Sequence, residues 1–327
     1  MTTLRWGILG TARISRRLIP AFQAARRSTL VAVASRDRDR ASAHAARWHI
    51  PRALAGYDTL LADDGIDAVY VPLPNSEHVR WTLGAIDAGK HVLCEKPLAL
   101  DPADVERIAT AARARGVIVE DGFMYPHEPL TAKVRELVSS GAVGAVRAIV
   151  SGFTFALDRP GDVRLDPALG GGALWDIGCY PVTYARMIAG RDPTVVFGSA
   201  HWSASGVDEE FTGLLRFTGG ATATVYASFT AAYRTWLEVI GSEGVLTVPN
   251  PFRPEPLETL DLTRQGKVER IEVIGSDLLF LREVEDFEAS VLDRAPSVVS
   301  LDDSLATTRT LAGLYASARG TSALYPQ

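Results

Sequence analysis

Three residues that can move protons or hold charge lie in two short segments of this 327-residue chain. Lys96 belongs to the segment Cys94-Glu95-Lys96-Pro97, while Asp176 and Tyr180 follow a run of three glycines and lie four residues apart. A lysine ammonium can stabilise negative charge that develops on a carbonyl oxygen, and a nearby cation favours the phenolate of a tyrosine. We therefore predict Lys96, Tyr180 and Asp176 as catalytic residues. Tyr180 would relay a proton, Lys96 would supply charge, and Asp176 would orient a substrate hydroxyl or hold one of the other two.

Lysine is rare in this chain, in which arginine supplies most of the 34 basic residues. Arginine does not release its proton in proteins, whereas the pKa of a lysine falls when the ammonium is buried. A lysine at position 96 therefore indicates chemistry that arginine would not serve. The structural alternatives are an ion pair for Lys96, a carboxylate at a helix start for Asp176 and a half-buried helix tyrosine for Tyr180.

A glycine turn, Gly10-Thr11-Ala12-Arg13-Ile14-Ser15, follows the first apolar run of the chain. Glycine at the first position permits a tight turn, and small residues at the third and sixth allow a pyrophosphate and the strand to approach the helix. Two of the three glycines typical of a dinucleotide-binding turn are replaced, so a plain strand–helix turn is the alternative. The turn predicts cofactor contacts at Gly10, Thr11, Ala12 and Ile14.

The second apolar run ends at Ser35-Arg36, where the residue that reads the adenosine ribose is expected. A carboxylate at this point is typical of NAD sites, whereas a hydroxyl and a guanidinium suit a 2′-phosphate. Asp37 is the counter-evidence, although it can also cap the following helix. We therefore predict that Ser35 and Arg36 bind NADP(H) in preference to NAD(H).

The elements that must position these residues change character along the chain. The first third alternates apolar strands with helices, which predicts a doubly wound parallel sheet in an α/β fold. The predicted strands are 4–9, 29–34, 68–71, 91–94 and 117–119, and the predicted helices are 13–25, 37–49, 76–88 and 101–115.

Strands separated by short turns dominate the remainder, which predicts an α+β domain with one large, mostly antiparallel open sheet. We place a dinucleotide-binding domain at residues 1–122 and a substrate-binding and oligomerisation domain at 123–327. The predicted strands are 146–155, 194–202, 210–217, 221–229, 236–240, 245–248, 257–263 and 268–274, and the predicted helices are 128–139, 173–189, 278–292 and 301–318.

Composition excludes several classes of protein. A net charge of −5 gives no electrostatic reason to bind nucleic acid or an anionic membrane. No apolar stretch reaches the length of a membrane span, and residues 1–6 lack the pattern of a secretory signal. The two cysteines and six scattered histidines predict no metal site. We expect a cytoplasmic protein.

These motifs, taken in order and spacing, resemble the glucose–fructose oxidoreductase/inositol dehydrogenase (Gfo/Idh/MocA) family over essentially the whole chain. The motifs are the modified glycine turn, Pro74-Asn75-x-x-His78, Glu95-Lys96-Pro97 and the glycine-led segment through Tyr180. The resemblance implies a Rossmann domain, hydride transfer between nicotinamide and a carbinol or carbonyl carbon, and a homodimer or homotetramer formed through the C-terminal sheet. It also implies cofactor contacts from the loops that follow the third and fourth apolar strands, at Pro72, Leu73, Asn75, His78, Glu95 and Lys96.

Tyr180 stands where many inositol-dehydrogenase-like members have histidine. It is typical of the branch with NADP-dependent sugar dehydrogenases, dihydrodiol dehydrogenase and deoxysugar 3-ketoreductases, which predicts an NADP(H)-dependent oxidoreductase acting on a sugar or sugar nucleotide. A cyclic-diol dehydrogenase and a non-catalytic NADP-sensing regulator are the alternatives. Aromatic rings suit stacking on a sugar, although core packing explains them equally well. The predicted substrate contacts are Tyr125, Phe153, Arg164 and Trp175.

Overall fold

The protein, for which we used a computed structural model, is described over residues 3–320. Residues 1, 2 and 321–327, which are the outer ends of the two predicted domains, lie outside the described residues. Residues 1 and 2 also belong to the segment in which no secretory signal was predicted. The chain forms two compact units, one of residues 1–127 with 278–305 and one of residues 128–277 with 306–327. The first unit thus extends past the predicted boundary after Gly122 and also takes in a segment from late in the chain.

The first unit is built on a six-stranded sheet with the strand order β3-β2-β1-β4-β5-β6, in which all neighbours are parallel. This order reverses between β1 and β4, and ligands of open α/β sheets bind where the strand order reverses. The strands are β1 (Leu4–Leu9), β2 (Ser28–Ser35), β3 (Arg52–Ala55), β4 (Ala68–Val71), β5 (His91–Glu95) and β6 (Val119–Gly122).

The helices of this unit begin at residues that the sequence marks. Asp37 and Asp101 accept hydrogen bonds from backbone N–H groups at the starts of α2 and α5, as N-cap carboxylates do. The helices are α1 (Ser15–Ala24), α2 (Arg38–Trp48), α3 (Tyr57–Leu61), α4 (Asn75–Asp87) and α5 (Pro102–Arg115).

The segment from late in the chain belongs to the first unit because it completes the apolar packing there. Helix α8 (Leu281–Leu292) places the ring centroid of Phe287 4.9 Å from that of Trp6 of β1, and the ring centroid of Phe22 of α1 lies 4.7 Å from that of Trp6. All three rings are fully buried. Burial of aromatic rings contributes strongly to a core, so this contact accounts for the return of the chain.

The sequence pattern misplaces one strand of this sheet. The predicted strand 117–119 ended at Val119 because polar residues follow, but β6 continues through Glu120 and Asp121, which are buried. The short β3 and α3 were not predicted. The parallel, doubly wound sheet itself is confirmed.

The second unit contains an eight-stranded sheet with the order β14-β13-β12-β11-β7-β10-β9-β8. Strands β7 and β10 are parallel and the other neighbours are antiparallel, so the predicted large, mostly antiparallel sheet is confirmed. The strands are β7 (Val146–Thr154), β8 (Pro193–Trp202), β9 (Asp208–Phe217), β10 (Thr222–Ser228), β11 (Arg234–Gly241), β12 (Val245–Val248), β13 (Leu257–Arg264) and β14 (Lys267–Ile274).

Two helices of the second unit contact this sheet, one at β14 and the other at β7 and β10. Helix α6 (Pro129–Ser139) and helix α7 (Cys179–Ala189) belong to the second unit, and α9 (Leu301–Ala318) begins in the first unit and ends in the second. A π-helical turn, Leu174–Gly178, runs directly into α7. No helix within residues 3–320 is long and apolar enough to cross a membrane.

The scarce lysines have different structural positions. Lys90 is buried and its Nζ donates to the carbonyl oxygens of Asp63 and Ile66, each at 2.8 Å. Lys133 forms an exposed pair with Glu136, and Lys267 is exposed. Lys90 therefore has a structural role, because its ammonium satisfies two backbone carbonyl groups between α3 and β4.

Candidate active site

The predicted glycine turn lies between β1 and α1. Gly10 has a φ of +111°, which L side chains rarely adopt, and its N–H donates to the carbonyl of Ala34 at 2.8 Å. A Cβ at Gly10 would lie 3.1 Å from Leu73, so glycine also permits a close approach of the loop after β4. Helix α1 begins without a side-chain cap. The N–H groups of Ser15, Arg16 and Arg17 donate to carbonyl oxygens of the turn, and the positive end of the helix dipole favours an anion such as a phosphate.

Thr11, Ala12 and Ile14 form the rest of this turn and are partly exposed, so their backbone can be reached by a ligand. Ser15, the small residue at the sixth position of the turn, is fully buried. Its burial agrees with the reason for a small residue there, which is close packing of the helix on the strand.

The end of β2 places Ser35 and Arg36 beside this turn. Ser35 Oγ accepts from the N–H of Asp37 at 3.2 Å. Oδ1 of Asp37 accepts from the N–H groups of Asp39 and Arg40, the second and third residues of α2, at 2.9 and 3.1 Å. Asp37 thus serves as the cap of α2. This weakens the argument that its carboxylate accepts from a ribose hydroxyl, as in an NAD site.

A second guanidinium, which the sequence reading did not single out, accompanies Arg36. Burial raises the pKa of Tyr57, while the positive charges of Arg36 and Arg40 act in the opposite direction. The hydroxyl of Tyr57 is 3.5 Å from the point where a Cβ at Gly10 would stand. Two guanidiniums therefore lie close to the hydroxyl that borders the glycine turn.

His78 connects the two other loops at this edge of the sheet. Its Nδ1 is 2.8 Å from the carbonyl oxygen of Pro97 and its Nε2 is 2.7 Å from that of Leu73. Burial lowers its pKa, and the charge of Lys96 lowers it further. His78 is fully buried, so the structure gives it a positioning role for the loop of Pro72, Leu73 and Asn75.

Glu95 and Lys96 leave the end of β5 at the same edge. Glu95 Oε1 accepts from the hydroxyl of Tyr70 at 2.6 Å, which fixes the orientation of its carboxylate. The peptide bond between Lys96 and Pro97 is cis. Both charged side chains are half-buried, so they are held by the fold and can still be reached by a ligand.

Asp121 of β6 lies behind this pair. Burial, with a smaller contribution from the charge of Glu95, raises its pKa from 3.8 to about 7 against the opposing effects of Lys96 and of hydrogen bonds from Ser304 and Leu98. The sequence reading did not find Asp121, because an acidic residue inside a predicted loop gives no signal of burial.

The glycine-led segment of the second unit holds the other predicted residues. Gly172 has a φ of +127°, and a Cβ on it or on Gly171 would collide with neighbouring atoms. For Gly171 these are the carbonyl of Arg164, and for Gly172 the side chains of Asp208 and Tyr315. The glycines therefore permit tight packing of the chain on itself at the start of this segment.

Asp176 lies in the π-helical turn and Tyr180 in the first turn of α7. Arg164 Nε donates to Asp176 Oδ2 at 2.6 Å, and its Nη1 donates to Asp162 Oδ1 at 3.1 Å. These two carboxylates raise the pKa of Arg164 further above its ordinary value, Asp176 being the larger cause. Arg164, predicted to contact substrate, thus fixes the position and the charge of Asp176.

Aromatic rings surround Tyr180. Phe153 of β7 lies edge-on to it with 5.6 Å between ring centroids, and Phe252 lies 5.5 Å away. Phe153 is fully buried, as is Tyr125 of the first unit, and Trp175 stacks on Tyr315 at 5.3 Å. Their substrate contacts remain predictions, and the packing role is the one that the described residues display.

Asp208, at the start of β9, anchors the segment that carries Asp176. Its Oδ2 accepts from the N–H of Leu174 at 2.7 Å, and its Oδ1 accepts from the hydroxyl of Tyr315. Burial raises the pKa of Asp208 to about 7, against an opposing effect of these two hydrogen bonds. The sequence reading missed Asp208 and Tyr315, since they are far apart in the chain and neither belongs to a motif.

No group of three or more histidine, cysteine, aspartate or glutamate side chains within residues 3–320 is arranged to hold a metal ion.

Comparison with known proteins settles the family. Residues 4–123 match the oxidoreductase family with an NAD-binding Rossmann fold, and residues 131–247 match the GFO/IDH/MocA C-terminal domain. The chain belongs to the GFO/IDH/MocA family. The resemblance seen in the motifs and the predicted oxidoreductase class are thereby confirmed, and the GFO/IDH/MocA Rossmann domain coincides with the six-stranded parallel sheet.

Two relatives within the GFO/IDH/MocA family have assigned activities. D-xylose 1-dehydrogenase (NADP(+)) 2 of Haloferax volcanii is 39% identical over 319 residues, which cover 96% of this chain and 97% of that protein. The dTDP-3,4-didehydro-2,6-dideoxy-alpha-D-glucose 3-reductase of Streptomyces violaceoruber is 39% identical over 254 residues, which cover 77% of this chain and 74% of that protein.

A solved structure of high similarity is that of a 3-ketoreductase from Actinomadura kijaniata in complex with NADP and TDP-benzene. The TM-score is 0.90 and the identity 32%, covering 97% of this chain and 98% of that one. Other structures of the same protein carry a lysine replaced by alanine or a tyrosine replaced by phenylalanine. The replaced lysine and tyrosine are separated by the same number of residues as Lys96 and Tyr180.

The raised pKa of Asp208 predicts a pH-dependent contribution to stability. Because the folded pKa is about 7 and the ordinary value 3.8, Asp208 favours folding most below about pH 4, and this contribution is lost as the pH rises through 7. Asparagine does not titrate. The difference in unfolding free energy between the wild type and Asp208→Asn should therefore fall between pH 5 and pH 8 in urea denaturation.

The matched control is Asp302→Asn, since Asp302 is exposed. Its difference from the wild type should be small and nearly constant over the same pH range. A constant difference for Asp208→Asn as well would contradict the assignment of a raised pKa to Asp208.

Proposed function

We propose that this chain is an NADP(H)-dependent oxidoreductase that transfers a hydride between nicotinamide and a carbinol or carbonyl carbon of a sugar or sugar derivative. The observation that carries the proposal is that a member of the GFO/IDH/MocA family contains Lys96, Asp176 and Tyr180 together. The equal Lys–Tyr separation in the crystallised 3-ketoreductase variants supports the choice of these two residues.

The residues at the end of β2 fit the 2′-phosphate of NADP(H). Ser35 offers a hydroxyl, Arg36 and Arg40 offer charge near the glycine turn, and the carboxylate of Asp37 is occupied as a helix cap. A carboxylate facing the ribose would repel this phosphate, whereas guanidinium groups bind it through charge-assisted hydrogen bonds. The uncapped start of α1 suits the pyrophosphate.

The chain's own residues would handle the proton and the charge, while bound NADPH supplies the hydride. In the direction of reduction, the hydroxyl of Tyr180 donates a proton to the carbonyl oxygen that becomes the alcohol. The ammonium of Lys96 stabilises the phenolate that this leaves and the charge that builds on the substrate oxygen. Asp176, held by Arg164, accepts a hydrogen bond from a substrate hydroxyl and so orients the sugar.

We also propose a homodimer or homotetramer formed through the open sheet of the second unit. Phe197 of β8 and Leu214 of β9 are paired neighbours, 60% and 42% exposed, and Val195 on the same strand is 44% exposed. Contiguous apolar side chains of this kind are unusual on a surface that faces water. A second copy of this sheet would cover them.

The first prediction of this function concerns Lys96. Lys96→Ala should lower kcat at least about a hundredfold, since a preorganised charge near a developing oxyanion contributes a factor of that order. The affinity for NADPH, measured by fluorescence titration, should change by less than about threefold. Activity is followed through NADP⁺ or NADPH absorbance over free aldoses, keto sugars, nucleotide sugars and a trans-dihydrodiol.

Lys133→Ala is the matched control, because Lys133 lies in an exposed pair with Glu136. It should retain wild-type turnover. Unchanged turnover in Lys96→Ala would reject its catalytic role. NADPH binding without turnover of any compound by the wild type would favour a regulatory protein, and turnover of the dihydrodiol alone would favour the cyclic-diol enzyme.

The second prediction concerns cofactor choice. Arg36→Ala should weaken the binding of NADPH by about tenfold or more and leave that of NADH nearly unchanged, because only NADPH carries the 2′-phosphate. Dissociation constants for both cofactors, measured on the same preparation, decide the outcome. Arg38→Ala, at an exposed position of α2, is the control. Equal losses for the two cofactors would show that Arg36 does not read the phosphate.

The third prediction concerns assembly. Phe197→Asp places a charge in the middle of the exposed apolar patch, and it should lower the molar mass measured by light scattering after size exclusion. Val298→Asp is the control, since Val298 is 40% exposed and belongs to the first unit. A wild-type protein that is monomeric at micromolar concentration would disprove the assembly proposal.

A further inference from the structure

The loop that follows β12 carries an arginine whose hydrogen-bonding capacity the fold does not use. Arg253 is half-buried, and its Nε is shielded from solvent without a hydrogen-bond partner. No described residue forms an ion pair with it. A buried donor without a hydrogen-bond partner costs free energy. Such a donor in a native protein therefore suggests a function that requires it.

Two other arginines of the same unit, the half-buried Arg164 and the buried Arg186, donate to carboxylates. Arg164 donates to two carboxylates, and Arg186 donates to Asp192 and to Thr307. The carboxylate next to the loop of Arg253 is also occupied, because Glu258 Oε1 accepts from the side chain of Asn250 and from the backbone N–H of Glu255. The charge of Arg253 is therefore available to a ligand.

The backbone around Arg253 is held firmly. Its carbonyl oxygen accepts from Asn250 Nδ2 at 2.6 Å, and Pro254 beside it is buried. The preceding residue, Phe252, is fully buried and stacks on Phe153 with 5.8 Å between centroids and 10° between ring planes. A guanidinium on so rigid a loop is preorganised, which reduces the entropy lost when it binds.

Phe153 connects this guanidinium to the predicted proton relay. Arg253 Cζ lies over the Phe153 ring, 5.2 Å from its centroid, and the same ring lies edge-on to Tyr180 at 5.6 Å. Tyr233 is 60% exposed and lies edge-on to Phe153 at 6.2 Å. One buried ring thus brings together the proton relay, an unpaired cation and an exposed aromatic ring.

We propose that Arg253 binds an anionic substituent of the substrate, a phosphate or a carboxylate, in a subsite one ring away from Tyr180. The planar fork of a guanidinium matches both groups, and hydroxyls of a neutral sugar are weaker acceptors that leave its charge uncompensated. The exposed face of Tyr233 suits stacking on a sugar or a base. The inference rests on the proposed function and narrows its substrate class to acidic sugars: sugar phosphates, nucleotide sugars or uronic acids.

The test compares a neutral sugar with anionic counterparts. Initial rates of the NADP(H)-loaded enzyme are measured with D-glucose, glucose 6-phosphate, D-glucuronate and UDP-glucose, for the wild type and for Arg253→Met and Arg253→Lys. The phosphate and carboxylate compounds distinguish the two sources of the anion. Circular dichroism and thermal unfolding verify that each variant is folded.

We expect the wild type to prefer at least one anionic compound over D-glucose by tenfold or more in kcat/KM. Arg253→Met should lower kcat/KM for that compound by about tenfold to a hundredfold, mainly through KM, and change that for D-glucose by less than about threefold. For the same anionic compound, the kcat/KM of Arg253→Lys should lie between those of the wild type and Arg253→Met, because lysine keeps the charge and loses the planar fork of the guanidinium.

Arg234→Met is the matched control, since Arg234 also lies over an aromatic ring, 4.8 Å from the centroid of Trp236, but is exposed. It should leave the preference unchanged. Equal losses on neutral and anionic compounds in Arg253→Met, or a wild type that prefers D-glucose, would overturn the subsite and leave the proposed function intact.

A wild type that turns over none of these compounds, nor any of the wider panel, contradicts the proposed function instead. The subsite is then judged by calorimetric titration of the NADP⁺-loaded protein with glucose 6-phosphate, D-glucuronate and UDP-glucose. Binding that Arg253→Met abolishes and Arg234→Met retains supports the subsite, and the absence of such binding overturns it.

Discussion

The first turn of every helix leaves backbone N–H groups without partners, and the way each start is satisfied shapes the site in both units. Helix α2 takes its cap from Asp37, while α1 has no side-chain cap and its first N–H groups donate to carbonyl oxygens of the glycine turn. The π-helical turn before α7 receives its acceptor from Asp208, which is distant in sequence. The same requirement is therefore met by the backbone of the glycine turn in one unit and by a distant carboxylate in the other.

Charge pairing distinguishes an arginine that positions another residue from the arginines that we propose to bind a ligand. Arg164 is committed to Asp176 and Asp162, so its guanidinium serves the geometry of the carboxylate. Arg253 has no such commitment, and Arg36 is exposed at the end of β2. In partly buried surroundings a guanidinium without a carboxylate is energetically unfavourable until an anion binds, which makes the half-buried Arg253 the informative arginine.

Local signals made most of the fold predictable. Apolar runs marked the parallel strands because both of their faces are covered, and Asp37 and Asp101 marked helix starts because a capping carboxylate acts within three residues. The pattern was wrong at β6, since Glu120 and Asp121 are polar and buried. It also assigned residues 278–305 to the second half, because nothing local records that Phe287 packs on Trp6.

The sequence by itself determined the family, the doubly wound sheet and the segments that carry Lys96, Asp176 and Tyr180, because motifs and periodicity are properties of neighbouring residues. The tertiary structure decided which charges are free. Which carboxylates Arg164 pairs with and why Gly172 must lack a side chain depend on partners from other elements. Hydrogen bonds and ion pairs act over a few ångströms in space, and spacing along the chain does not encode that distance.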